Sequence, residues 1–278
     1  MTDDQILYSV RGPKSWVTMT SHELASQLKE TDVALVPVGA VEQHAGHLPL
    51  GQDNFEIEEV VRRTIVKLRA QGKPAIFGPT IPFGPITDLK FPGSIDIRPS
   101  TLTLLTKEVC LNLYREGIRK IALIQGHDMS QGSLMVAARE LMAETDDQLL
   151  VIVVNWLPYS QSNTKGISLG TPPDKLDTHG GAGETSRAMW TTPSLVAYDK
   201  LRDFSRDKVK APILFDQQPA RGGAVYTPHK TTVDDPDFQG IVGFPTRAKP
   251  EIGDLLLDDI ATWVADVTTR HCYRPVGS

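Results

Sequence analysis

Cysteine is scarce in this chain: Cys110 and Cys272 are the only two among 278 residues. That excludes a disulfide framework and a thiolate-rich zinc site, so any metal ion must be held by Asp, Glu and His. Cys110 falls inside a helical pattern, where packing is its plain role. Long apolar runs are missing as well. No stretch approaches the roughly 18 residues that a membrane span requires. The opening MTDDQILYSVRG has neither the basic start nor the apolar core of a signal peptide. The formal charge of -5 is too mild to draw the chain toward nucleic acid or a membrane surface. No internal repeat or low-complexity tract interrupts it. These absences lead us to expect a cytoplasmic protein with one domain over residues 1–278 and a small-molecule partner.

Apolar runs alternate with amphipathic segments, which is the pattern of α/β architecture. The run Val33-Ala34-Leu35-Val36-Pro37-Val38-Gly39 reads as a buried strand. Ile57, Val60, Val61, Ile65 and Leu68 then recur at helical spacing. Pro74–Phe77, Ile121–Ile124 and Leu149–Val154 read as further strands. Helices are expected from Ser100, as an N-cap, to Gly117, around Leu134–Met142, and over Ile252–Thr268. Residues 158–183 and 203–245 are rich in loop formers, and loops of that length in a compact domain tend to serve function.

The segment Val41-Glu42-Gln43-His44-Ala45-Gly46-His47-Leu48-Pro49-Leu50-Gly51-Gln52-Asp53 places two carboxylates and two imidazoles just after a buried strand. In extended chain, Glu42 and His44 point to one side. Asp53, before the next helix, adds a carboxylate that is either terminal or bridging. His127 follows strand 121–124, and strand ends of such sheets converge on one edge. This mixed oxygen and nitrogen set suits Zn²⁺, Mn²⁺ or Fe²⁺. Each residue also has a plainer role open to it. Asp53 is a natural helix cap, His127 a hydrogen-bonded loop residue, Glu42 an ion-pair partner, and His47 a brace for its own loop.

A second cluster, Asp177-Thr178-His179-Gly180-Gly181-Ala182-Gly183-Glu184-Thr185-Ser186, lacks the G-K-[ST] that would make its glycines a phosphate cradle. His179 suits general acid or base work, while Glu184 could simply complement a helix dipole. Trp156, Tyr159, Trp190 and Asp128 are weaker candidates for a pocket lining, set against core or interface roles. Arg221, beside Gly222-Gly223, is a candidate for an acidic substrate group or a solvated surface position.

VPVGAVEQHAGHLPLGQD resembles the hallmark segment of the creatininase (creatinine amidohydrolase) family. The resemblance continues in order through IPFG and FPGSIDI, IALIQGHDMSQ, His179 with Glu184-Thr185-Ser186, and VGFPTRAKPEIGD, spanning about residues 16–268. It implies a three-layer α/β/α sandwich around a largely parallel sheet, a homohexameric assembly, and one or two divalent ions, with zinc ahead of manganese or iron. By position, Glu42, Asp53 and His127 would hold one ion, and His44 with a bridging Asp53 the other. His179 would donate a proton to the leaving nitrogen, with Glu184 an acid beside it.

Two departures stand out. Creatininase itself places a metal-binding Glu two residues after the His of its third segment, where this chain has Met129. The second ion would then be weak, absent, or held by Glu184 or Asp128. Ala182 replaces a family Glu, which makes creatinine a poor candidate substrate. The expected activity is metal-dependent hydrolysis at the carbonyl of a small polar molecule, cleaving an amide or cyclic amide C–N bond. The rivals are C–C hydrolysis of an activated cyclic ketone, of the inosose type, and a non-catalytic binding subunit of an oligomer.

Overall fold

The computed structural model describes residues 12–86, 91–162, 167–205 and 238–273. Arg221 lies outside them. Four strands form one parallel sheet: β1 (Val33–Val38), β2 (Ile76–Phe77), β3 (Lys120–Gln125) and β4 (Leu150–Asn155), in the order β2-β1-β3-β4. Leu35 is opposite Phe77 on one side and Ala122 on the other, and Ala122 is opposite Ile152. β1 is buried along its whole length. That is why it reads as an unbroken apolar run: helices cover both faces of a parallel sheet.

Seven helices accompany the strands among the described residues: α1 (Ser21–Gln27), α2 (Gln52–Ala70), α3 (Pro99–Arg115), α4 (Gln131–Glu144), α5 (Leu157–Ser162), α6 (Ala182–Thr191) and α7 (Pro250–Cys272). Alternate strand residues divide the core. Val33, Leu35, Ala122 and Ile124 face α2 and α7, packing with Ile57, Val61, Ile65, Leu257, Ile260 and Val264. Ala34, Val36, Val38, Ile121 and Leu123 face α3 and α4, packing with Leu102, Cys110, Leu113, Leu134 and Leu141. The result is the expected three-layer sandwich, with Cys110 a core residue. α6 lies outside this frame and packs on α7 and α2.

Two helix starts differ from expectation. Arg98, not Ser100, occupies the cap position of α3, and Pro99 opens its first turn. Proline suits that place because its φ is already helical and its missing N–H needs no partner there. Asp53 is not a cap either. Gly51 holds the cap position of α2, and Asp53 is its second helical residue.

The topology creates a crevice. From β1 the chain turns to α2 on one face, and from β3 to α4 on the opposite face. Neighbouring strands whose connections leave to opposite faces open a gap at their carboxyl ends, where such sheets bind ligands. The segments after β1 and β3 are the ones that carry Glu42, His44 and His127.

Candidate metal centre

The chain leaving β1 folds into a closed loop. The Glu42 amide donates to the Leu50 carbonyl (3.0 Å), so the loop returns to its start before α2 begins. Asn54 anchors it, donating through Nδ2 to the carbonyls of Ala40 (2.8 Å) and Pro82 (3.2 Å). The FPGS segment runs alongside: the Gln43 amide donates to Ser94 Oγ (2.9 Å) and the Ile95 amide to the Val41 carbonyl (2.9 Å). These bonds fix the segment that carries Glu42 and His44, whose side chains reach one donor group.

At the other side stands α6. Asp177 receives the amides of Ala182 (2.9 Å), Gly183 (3.3 Å) and Phe244 (2.9 Å), tying the start of α6 to the strand-like segment near Gly243. Gly180 has φ +64, and a side chain there would collide with Ile241. Its amide donates to Glu184 Oε2 at 2.6 Å, which turns Oε1 of the same carboxylate toward His44. His47 bonds Thr185 Oγ1 of α6 (3.0 Å) and so braces the loop, as expected of it.

The six candidates meet in one place. His127 Nδ1 lies 3.3 Å from Glu42 Oε2 and 3.2 Å from Asp53 Oδ2. His44 Nε2 lies 3.4 Å from Asp53 Oδ1 and 3.3 Å from Glu184 Oε1. Three overlapping groups can hold an ion: Glu42–Asp53–His127, His44–Asp53–Glu184, and Glu42–His44–His179. Asp53 belongs to the first two, with one oxygen facing each. Two donors about 2.1 Å from one tetrahedral ion stand about 3.4 Å apart, so the spacing fits.

The outer nitrogens of the imidazoles support the same fit. His44 Nδ1 lies 3.0 Å from the Glu42 carbonyl, His127 Nε2 2.9 Å from the Pro85 carbonyl, and His179 Nε2 2.8 Å from the Gln43 carbonyl. A carbonyl can only accept, so each outer nitrogen carries a proton, and the inner nitrogens of His44 and His127 are the ones that face the carboxylates. Metal-ligating histidines are oriented in this way. At the centre, His44 Nε2 and Asp53 Oδ2 are fully buried and, beyond the ion-pair contacts just given, have no hydrogen-bond partner. Buried polar atoms rarely go unpaired without a reason. A divalent cation supplies one.

Electrostatics lead to the same place. At His44, Asp53, His127 and Glu184, burial works against the charged form, yet pairing outweighs it. Burial pulls His127 down, but Glu42 and Asp53 lift it to about 9. His44 is raised well above its ordinary value against a strong burial effect, by Glu184 and Asp53. Burial would raise Glu184, but His44 lowers it to about 2. Asp53 is held well below the carboxylate range by His127 and His44, again against burial. Protons on these imidazoles occupy the charge-balancing role that a cation would take.

Other candidates fall elsewhere. Met129 contributes no donor, and Asp128, raised to about 6 by burial, joins none of the three groups. The carboxylate beside His44 comes from Glu184. Trp156 is a core residue, Tyr159 stacks on Trp263 while bonding Asp259, and the exposed Trp190 lies under Arg63. They do not line this centre. Asn54 and Asp177, which position it, carry no sequence signal beyond lying next to segments that carry the family resemblance.

A parallel α/β sheet with a carboxylate–histidine cluster at its switch point defines a metal-dependent hydrolase. Residues 17–268 match the creatininase family model, described as creatinine amidohydrolase, and the chain belongs to that family. It is similar to a mycofactocin precursor peptide peptidase of Mycolicibacterium smegmatis, 28% identical over 261 residues, covering 93% of this chain and 92% of that protein. It is also similar to a 3-dehydro-scyllo-inosose hydrolase of Thermotoga maritima, 23% identical over 180 residues. That match covers 64% of this chain and little more than half, 56%, of that protein. A solved structure named Creatininase Mn has the same fold, with TM-score 0.73 and 23% identity over 92% of this chain and 98% of that one.

Proposed function

We propose that Glu42, Asp53 and His127 hold one divalent cation and that His44, Asp53 and Glu184 hold a second, with Asp53 bridging. The sharing of Asp53 between two triads whose imidazoles are already turned inward carries this reading. Such ions, when bound, polarise a carbonyl and lower the pKa of water toward ~7. The donor set suits zinc or manganese. His179 is the proton donor to the leaving group. It is more exposed than the other two imidazoles, its Nε2 is tied to a backbone carbonyl, and its ring lies 4.4 Å from that of His44.

The reaction we assign is hydrolysis of an amide or cyclic amide C–N bond in a small polar molecule. The family description and the peptidase relative favour it. The second reading is ring opening of an activated cyclic ketone, favoured by the inosose hydrolase relative, because water adds to a carbonyl in both cases. We infer that the chain works as a single domain over 1–278, in the cytoplasm, as a homo-oligomer and, by family resemblance, a hexamer. Exposed apolar Leu104, Met135 and Val136 on α3 and α4 favour a partner surface there.

Cyclic amides, N-formyl compounds, short peptides and cyclic ketones, offered to zinc- or manganese-reconstituted protein, separate the two chemistries. Asp53→Ala should bind neither ion and lose all turnover. Full activity in that variant would sink the site.

A further inference from the structure

Resting on the two-triad reading, we propose that Glu56 and Arg187 are positioning residues for the second triad. Their buried ion pair sets the separation of α2 and α6 one turn below the carboxylates of Asp53 and Glu184.

Asp53 and Glu56 are three residues apart on α2, and Glu184 and Arg187 are three apart on α6. Residues at that spacing share a helix face. The upper pair flanks His44, with Asp53 Oδ1 at 3.4 Å and Glu184 Oε1 at 3.3 Å from its Nε2. The lower pair closes directly: Arg187 Nε lies 2.8 Å from Glu56 Oε1, both side chains almost wholly buried. Each partner is itself fixed. Gln52 Nε2 donates to Glu56 Oε2 at 3.2 Å, and the Arg187 guanidinium lies 5.2 Å from the centre of the Trp156 ring, just past β4.

A buried ion pair adds little net stability over an apolar pair, because both charges lose their water. Geometry is what this one supplies. Three carboxylates, those of Asp53, Glu56 and Glu184, face one another across the α2–α6 seam. His44 stands between Asp53 and Glu184, and Arg187 closes on Glu56 one turn below, which fixes the spacing of the seam. The first triad has no member on α6, so the clamp bears on the second ion alone.

The test uses the full-length protein, stripped by chelator and titrated with Mn²⁺ alone. Calorimetry gives stoichiometry and affinity, electron paramagnetic resonance gives the coupling between neighbouring ions, and circular dichroism checks folding. The wild type should bind two coupled ions. Glu56→Gln and Arg187→Met should each keep the first ion and weaken the second by about 10–100-fold, the range for groups that orient a ligand. Simple charge effects predict otherwise: Arg187→Met removes a positive charge and would tighten the ion, whereas Glu56→Gln would loosen it. Loss in both variants therefore supports positioning. If Arg187→Met does not fold, the near-isosteric Glu56→Gln together with Arg187→Lys carries the test. Two ions at wild-type affinity in the folded variants, or tightening in Arg187→Met, overturn the clamp alone. A single ion in the wild type overturns the two-triad reading and the clamp with it.

Discussion

Glu42, Asp53 and His127 stand on segments that leave the sheet or enter its first covering helix, whereas Glu184 stands on α6, which packs on α7 and α2. The first group inherits its geometry from strands whose backbones are locked in register. The second depends on how a helix outside the sandwich is docked. That docking is close. A side chain at Gly253 of α7 would collide with the Ser186 backbone of α6, and the Lys249 amide donates to Ser186 Oγ at 3.0 Å. One centre thus draws one set of its donors from strand register and a second from helix docking. Substitutions that loosen α6 should touch only the second.

Three perturbations break or sharpen this contrast. The largest effect is expected from His127→Ala against Glu184→Gln. The first should remove the sheet-borne site and the second only the α6-borne site, each by more than about 100-fold in affinity, since even outer partners of ligands are worth about 10–100-fold. Competition against a chromophoric chelator measures both. Equal loss of both sites in Glu184→Gln would contradict the division.

Acid should loosen the α6 side next. Thr185 Oγ1 donates to the Gly180 carbonyl, so it accepts from His47 Nε2, which leaves His47 Nδ1 buried and bare. Burial, then the neighbouring His44, lowers His47 to about 4 from an ordinary 6.5. The unfolded chain therefore binds the proton more readily. The stabilising contribution is complete above pH 6.5 and is lost as pH falls from there toward 4. It amounts to about 3 kcal/mol at most. Chemical denaturation of metal-free protein across that window checks it, and His47→Gln should flatten that part of the slope. An unchanged slope in the variant would remove His47 from the account.

The smallest effect belongs to Asp177→Ala. It strips two amides at the start of α6, and that of Phe244, of their acceptor. The expected loss is about 1–2 kcal/mol, as for a lost helix cap. Thermal melts should show it, with the second ion weakened and the first unmoved.

Much of the architecture was legible in one dimension. The buried run 33–39 and the helical stripes of α2, α3, α4 and α7 announce themselves because period and burial are local properties of neighbouring residues. The misplaced start of α3 shows the limit of that logic. Ser100 has the chemistry of a cap, but Pro99 already fixes helical φ one residue earlier, and Arg98 takes the cap position with no side-chain bond. Residues 158–183 read as loop, yet Leu157–Ser162 form α5, and the stretch 167–181 carries no period, so nothing local tells where it leads α6. Asp53 was ambiguous between cap and ligand for the same reason: its neighbours in sequence are alike in either case, and only its neighbours in space differ.

The sequence by itself determined the donor chemistry: carboxylates and imidazoles without thiolates, placed after buried strands, in an order that marks the family from end to end. Tertiary structure alone decided which donors come together. Glu184 lies 131 positions beyond Asp53 in the chain, and only the packing of α6 against α2 sets it beside His44. Residue type is written locally, but the distance between two side chains on different helices is a product of every contact that docks them.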